Sequence, residues 1–575
     1  MPSRRRAIIY TLLFITLGAA ALNLALRVRH PMRVATGPRV LVFDVPSQVD
    51  EGPPPPGSSF DFLRRERPTF HELLFSVRNA AEDHDVAALV LHVDGLDWGW
   101  ARVHEMCDAV RAFRESGKPV YATLSGGGEK EYLLASAAGL LAMPHVSTLQ
   151  LDGLSASALF LHGAYQKLDV HPNFQHVGRY KSAVETFTRD QLSLEAREAM
   201  EALLDDQYET LVSALARARN LPADRMRSLI DGGPYAASTA HELGLVDTLL
   251  ALSDVDSLAA HTDGEKFGTV SITHYLAEDG LATGEHIALL VAEGDIVDGR
   301  SREGPFGGGR SVGDRTLVEA LQEIREQKQI RAVVLRIDSP GGSGDASDAV
   351  WQELRRLRRV KPVIVSMGDL AASGGYYLAC AGDAVVASPA TITGSIGVFG
   401  GKFNVLGLYQ KLGLNVETVK RGRHADMWSP YRDFDEEERA LYQHNLEEFY
   451  RVFVSRVSEG RAMSAGAVDS VGQGRVWSGV RARAFGLVDS LGGLEEAFGM
   501  AKSRAGIDQD ADIVVDLFPR PKRTLVQRWL GGLFDEGKGQ ETRVPALEAL
   551  ARVYQIAGMR AGATLALMPY TIEIK

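Results

Sequence analysis

Two cysteines, Cys107 and Cys380, are all that the 575 residues contain, and they fall in opposite halves with no pair at CxxC spacing. A disulfide framework and a cysteine-rich zinc site are excluded, and both thiols read as small buried apolar residues. A basic surplus is also lacking. The formal net charge of −11 argues against a general nucleic-acid binder, which carries a basic domain or stripe. Nor is the chain poor in apolar residues: 45% hydrophobic and 24% charged is ordinary globular composition, so disorder is confined to short segments. At this length a single core does not suffice, and two or more domains are expected.

Long apolar runs are scarce, with one exception at the N-terminus. Arg4, Arg5 and Arg6 precede an uncharged stretch from Ala7 to Leu26. At about 1.5 Å per residue such a helix just spans a hydrocarbon layer of about 30 Å. Residues 1–33 therefore read as a membrane anchor. A cleaved secretory signal is the competing reading, because Ala19-Ala20-Ala21 offers a small-residue cleavage site, although the apolar run continues past it. Arg27, Arg29 and Arg33 follow the span and dilute the orientation signal of the leading arginines.

What the sequence does have is a repeat. Ala88-Leu89-Val90-Leu91-His92-Val93-Asp94 matches Ala332-Val333-Val334-Leu335-Arg336-Ile337-Asp338, about 244 residues later. Each is an apolar run of the kind that forms a strand buried on both faces. Amphipathic helix patterns precede both (Phe70 to Glu82, Thr316 to Gln327), and before those come Gly/Pro-rich loops at 51–57 and 304–309. A helix and a second strand follow each, Pro119 to Ala122 and Pro362 to Val365. Strands alternating with helices at this spacing predict parallel sheets with helical crossovers. The expected organisation is two α/β domains, 34–260 and 285–500, joined by a polar linker at 261–284 and followed by a C-terminal extension at 501–575.

The two halves differ where chemistry would sit. In the second, a strand runs into Ala371-Ala372-Ser373-Gly374-Gly375, and a helix follows from Tyr376. A serine there lies at a helix N-terminus, where free backbone N–H groups favour developing negative charge. Taken alone it reads first as a plain N-cap in a tight turn. Ser339-Pro340-Gly341-Gly342-Ser343 follows the other strand, and its paired glycines either aim amides at an anion or make an ordinary Pro-Gly turn. The first half has Gly128 or Glu129 in place of Ser373, and Gly95-Leu96-Asp97-Trp98 in place of Ser339 to Gly342. Conversely, Gly178-Arg179-Tyr180-Lys181 in the first half is matched by Gly422-Arg423-His424-Ala425 in the second. Each half has lost what the other keeps, which suggests a nucleophile from one and a base from the other. A lysine serves as base near neutral pH only when burial lowers its pKa by several units from about 10.4; otherwise it is a solvated surface charge.

Three motifs together, Gly178 to Glu185 (GRYKSAVE), Ser339 to Ser343 (SPGGS) and Gly368 to Tyr377 (GDLAASGGYY), resemble the signal peptide peptidase A family in its long, tandem-repeat form. The resemblance runs from the N-terminal apolar segment to about residue 500. It implies two tandem repeats of the ClpP/crotonase type behind a single transmembrane helix, with Ser373 as nucleophile and Lys181 as general base. It implies further that Ser395 hydrogen-bonds the lysine and that amides of Gly374 and of Gly341 or Gly342 hold the oxyanion. No cofactor and no metal are implied. The partners implied are hydrophobic peptides such as cleaved signal peptides, the membrane, and three further copies of the chain in a homotetramer, with no nucleic acid. The site implied is the bacterial inner membrane, the catalytic body on the extracytoplasmic side.

Rival readings are a crotonase-like acyl-thioester enzyme and a non-catalytic membrane scaffold of the same fold. A Ser-His-Asp hydrolase is discounted: the one G-x-S-x-G match, Gly309 to Gly313, follows a glycine loop and lacks the strand that a nucleophile elbow requires.

Overall fold

The computed structural model describes residues 37–54, 67–278, 284–303, 309–520, 564–568 and 574. The expected anchor at 1–33 lies outside the described residues, as do 55–57 of the first Gly/Pro-rich loop, 304–308 of the second, and most of the extension beyond Arg520. Among the described residues no helix is long and apolar enough to cross a membrane.

Among the described residues three large sheets organise the chain, beside a two-stranded one. The first is parallel and built from the first repeat, in the order Thr248–Leu249, Leu140–Met143, Val120–Leu124, Val86–Val93, Arg39–Asp44, Gly268–Ser271. The second uses the same plan in the second repeat, with Val363–Ala372, Ile330–Ser339, Glu285–Glu293 and Ile513–Phe518 side by side and parallel. Leu89, Val90, Leu91, Val333 and Val334 are fully buried, as continuous apolar runs must be when helices cover both faces of a sheet.

The helices follow from equally local rules. Phe70–Glu82 buries Phe70, Leu73, Leu74, Val77 and Ala80, one stripe at helical spacing, and a capping box of Thr69 and Glu72 starts it. Its counterpart, Asp314–Glu326, buries Leu317, Ala320, Leu321 and Ile324. One buried cluster runs from Phe43, Leu89 and Leu91 of the first repeat to Leu289, Val334 and Ile364 of the second, so the repeats share a core.

Two expectations need correction. The stretch expected as a linker holds the strand Gly268–Ser271, paired with Arg39–Asp44, and the helix Ile272–Glu278. The strand is short and mostly exposed at a sheet edge, which explains its polar look. Likewise the second sheet does not end near 500: Ile513–Phe518 returns beside Glu285–Glu293, as Gly268–Ser271 does in the first repeat. A β-branched run, Ile513-Val514-Val515, drives that pairing.

The third sheet joins the halves. His171–Val177 of the first repeat pairs antiparallel with Val398–Asn404 of the second over seven residues, from Val177 opposite Val398 to His171 opposite Asn404. The chain leaves that strand at Gly178 and reaches Lys181 three residues later. Lys181 is thus delivered across the repeat boundary.

Candidate active site

Ser373 ends the strand Val363–Ala372 and caps the helix Gly374–Ala379. Its backbone holds φ +56° and ψ −112°, a conformation that costs an L-residue free energy and persists only where surroundings enforce it. The enforcement is visible. Ser373 N–H donates to the Gly394 carbonyl at 2.8 Å, and Thr393 Oγ1 donates to the Ala371 carbonyl at 2.7 Å. The turn is a strained strand-to-helix elbow although its sequence is not G-x-S-x-G. The side chain makes no cap hydrogen bond, so the hydroxyl is not consumed in starting the helix.

That hydroxyl meets Lys181 instead. Lys181 Nζ stands 2.8 Å from Ser373 Oγ, 3.0 Å from Ser395 Oγ and 3.2 Å from the Ser395 carbonyl oxygen. Ser373 and Ser395 are fully buried, and Lys181 is 1% exposed. Burial holds the lysine well below the ordinary ammonium range, and no carboxylate charge among the described residues offsets it. An amine 192 positions away in sequence therefore faces the serine in a dry enclosure.

The glycines line the other wall. Gly341, at φ +100°, and Gly342 form the strand Gly341–Ser343 beside Gly374. A methyl group on Gly341 would strike the Gly374 amide nitrogen at 2.6 Å, and one on Gly374 would strike Ser347 Oγ at 2.7 Å. The Gly341 N–H donates to Ser339 Oγ at 3.2 Å. That leaves Gly342 and Gly374, of the three amides expected, without a side-chain partner. Gly374 opens the first helical turn, where N–H groups have no partner within the helix.

Two features of the site were not expected from its motifs. Gly474, at φ +77°, packs so closely on the Lys181 backbone that an added methyl would lie 2.6 Å from both Lys181 N and Cβ. Its loop also pins the site: Tyr180 N–H donates to the Gln473 carbonyl and Ser395 N–H to the Arg475 carbonyl, both at 2.7 Å. No motif or spacing ties residue 474 to residue 181. The second feature is a strand from the tail, Leu565–Leu567, which lies between Gly341–Ser343 and Val398–Asn404. Gly344 N–H donates to the Thr564 carbonyl at 2.9 Å and Met568 N–H to the Pro340 carbonyl at 2.8 Å. By the alternation of antiparallel pairs, Gly342 and Ala566 form the hydrogen-bonded pair between them. Leu565 and Leu567 pack with Ala183, Val184 and Phe399. The short alternation of Thr564 to Met568 was the available signal, and it is too brief to read as a strand unaided.

Comparisons with known proteins agree with this architecture. A family model described as Peptidase family S49 matches residues 112–264 and again 355–508, and one described as Clp protease matches 313–392. The chain is 35% identical over 482 residues to "Serine protease SPPA, chloroplastic" of Arabidopsis thaliana, which covers 80% of this chain and 71% of that protein. It is 32% identical over 470 residues to "Protease 4" of Salmonella typhi (79% and 74%), and 31% identical over 513 residues to "Protease 4" of Haemophilus influenzae (84% and 80%). With two matched segments in tandem and relatives aligned over most of their length, the thioester and scaffold readings fall away. The chain belongs to peptidase family S49 and is a serine peptidase.

Proposed function

We propose that Ser373 is the nucleophile and Lys181 the general base of an endopeptidase that degrades hydrophobic peptides, cleaved signal peptides among them. The observation that carries this reading is the 2.8 Å contact between Lys181 Nζ and Ser373 Oγ in full burial. A neutral amine has two N–H donors and one lone pair. The donors are accounted for by Ser395 Oγ and the Ser395 carbonyl, so the lone pair is left for the Ser373 hydroxyl proton. Ser395 thus orients the base.

In the forward step Ser373 Oγ attacks the peptide carbonyl carbon while its proton passes to Lys181 Nζ. The Gly374 and Gly342 amides receive the negative charge that builds on the carbonyl oxygen. Collapse breaks the C–N bond, and the lysine returns the proton to the leaving amine. Water, deprotonated by the same lysine, then attacks the acyl carbon; the bond to Ser373 Oγ breaks and the lysine returns the proton to that oxygen. An extended substrate fits the slot where Thr564 to Met568 lies, its backbone paired with Gly341–Ser343 and its alternate side chains against Phe399, Ala183 and Val184.

The setting belongs to the same proposal. Residues 1–33 anchor the chain in a bacterial inner membrane, the catalytic body stands on the extracytoplasmic side, and four copies assemble. The apolar run from Ala7 to Leu26 and the apolar lining of the slot support a substrate that is itself a membrane segment.

The test is peptide hydrolysis by wild type, Ser373→Ala and Lys181→Ala across pH, with a fluorophosphonate probe to label the nucleophile. Ser373→Ala should abolish both turnover and labelling, and Lys181→Ala should cost about 100-fold or more. Wild-type activity should fall on the acid side as the lysine takes up a proton. Labelling at another serine, or full turnover by Lys181→Ala, would defeat the assignment.

A further inference from the structure

Besides Lys181, the first repeat sends an arginine across the boundary toward the proposed site. Arg102, on the helix Trp100–Glu115, reaches a pair of carboxylates in the second repeat: Asp338 accepts from its Nη2, and Asp369 Oδ2 lies 3.0 Å from its Nε. The same guanidinium donates to Glu51 Oε1 at 3.1 Å and to the Val49 carbonyl at 2.9 Å. The two aspartates sit at the roots of the two loops that form the site. Asp338 immediately precedes Ser339-Pro340-Gly341-Gly342, and Asp369 lies four residues before Ser373.

The strands carrying them are out of step at this point. Ile337 pairs with Met367 but Ser339 pairs with Ala371, so Gly368, Asp369 and Leu370 bulge from the ladder opposite the single residue Asp338. The bulge is held by side chains. Asp338 Oδ1 accepts from Leu370 N–H at 2.9 Å, and Thr391 Oγ1 donates to the Gly368 carbonyl at 2.8 Å. Asp369 Oδ1 turns to the first repeat, where it accepts from the N–H groups of Ala101 at 2.8 Å and Arg102 at 3.2 Å, at the start of that helix. Gly99 is required for this approach, because a methyl there would run into the Asp369 carboxylate. The arrangement is one-sided. Asp94 stands where the repeat matches Asp338, but Arg102 has the uncharged Ala346 as its counterpart.

We infer that Arg102 is a positioning residue for peptide hydrolysis: by bridging Asp338 and Asp369 across the bulge, it sets the separation of the Gly342 amide from Ser373 and Gly374. The inference rests on the proposed roles of Ser373 and those amides. It goes beyond an ordinary ion pair between domains, because it ties the rate of the chemical step to a residue that touches neither substrate nor dyad. A displacement of about 1 Å between reacting groups is worth about 100-fold in rate. Arg102 holds three carboxylates, of Glu51, Asp338 and Asp369, with one planar fork, which a lysine ammonium cannot reproduce.

The experiment uses the full-length enzyme. It measures kcat and KM for an apolar peptide, the second-order rate of fluorophosphonate labelling at Ser373, and the folded fraction, for Arg102→Met, Arg102→Lys, Asp369→Asn and Gly99→Ala. Gly99→Ala keeps every charge and only displaces the Asp369 carboxylate, so it serves where loss of a buried charge prevents folding. The expected result, per folded molecule, is a fall of tenfold or more in both kcat and labelling rate with KM within twofold of wild type. Arg102→Lys should recover the fold but not the rate. Rates per folded molecule within twofold of wild type, a loss expressed only in KM, or full recovery of kcat by Arg102→Lys would overturn the inference. A wild-type enzyme that neither cleaves peptide nor takes the label at Ser373 would instead remove the reading beneath it.

Discussion

A carboxylate beside a lysine would hold it protonated, and Lys181, the proposed base, has none beside it: two serine hydroxyls and a carbonyl oxygen surround its nitrogen. The consequence for stability has a definite sign. The unfolded chain titrates this lysine near 10.4, as any exposed lysine, while burial lowers the folded value. Between the lowered value and about 10.4 the unfolded chain holds the extra proton, so stability contributed by this group rises with pH across that window. The unfolding free energy of wild type relative to Lys181→Met should therefore shift in favour of wild type from pH 7 to pH 10, as read by denaturant melts. A difference that stays flat across this range would mean that the lysine is charged when folded. Gly474 supports the same geometry by close contact, so Gly474→Ala should lower turnover by about tenfold or more by displacing the Lys181 backbone. Retention of wild-type turnover by that variant would show that the lysine loop adjusts freely. At this scale Ser373 and Lys181 were legible because the two halves could be compared position by position. Gly474 and Arg102 were not, because their partners are fixed only by tertiary packing.

Strands and helices were legible where one local rule decided them. The stripe Phe70, Leu73, Leu74, Val77, Ala80 marks a helix, and the apolar runs before Asp94 and Asp338 mark buried strands. Elements whose existence depends on a distant partner were not. Gly268–Ser271 is polar and short and becomes a strand only beside Arg39–Asp44, while Leu565–Leu567 becomes one only between two other strands. The same dependence governs how Lys181 arrives. The pairing of His171–Val177 with Val398–Asn404 needs Gly401, where a side chain would collide with the Asn173 carbonyl and Phe174 Cα. Gly401→Val should push the lysine strand away and cost at least about tenfold in turnover, with the circular dichroism of the two large sheets unchanged. Unaltered turnover would mean that Lys181 is positioned from its other side, by the Gln473–Arg475 loop alone.

At the scale of the whole molecule, residues 564–568 fill the chain's own slot. Leu565, Ala566, Leu567 and Met568 are buried there, and Ile574 bridges Ala156 of the first repeat. A methyl built on Gly374 would lie 3.0 Å from the Ala566 carbonyl oxygen, so that oxygen stands at the amide wall proposed to receive a substrate carbonyl. An extended peptide and the tail cannot occupy one ladder together. A tethered strand competes at the high effective concentration that tethering confers, commonly millimolar, whatever the concentration of free peptide. Leu565→Asp with Leu567→Asp places two carboxylates against Phe399, Ala183 and Val184, which disfavours the bound tail and leaves Ser373 and Lys181 untouched. The doubly substituted chain should label faster with a fluorophosphonate and show kcat/KM for an apolar peptide raised about fivefold or more, through KM. A fall in both would make the tail a structural wall of the site, and no change would mean that it leaves the slot freely before substrate arrives.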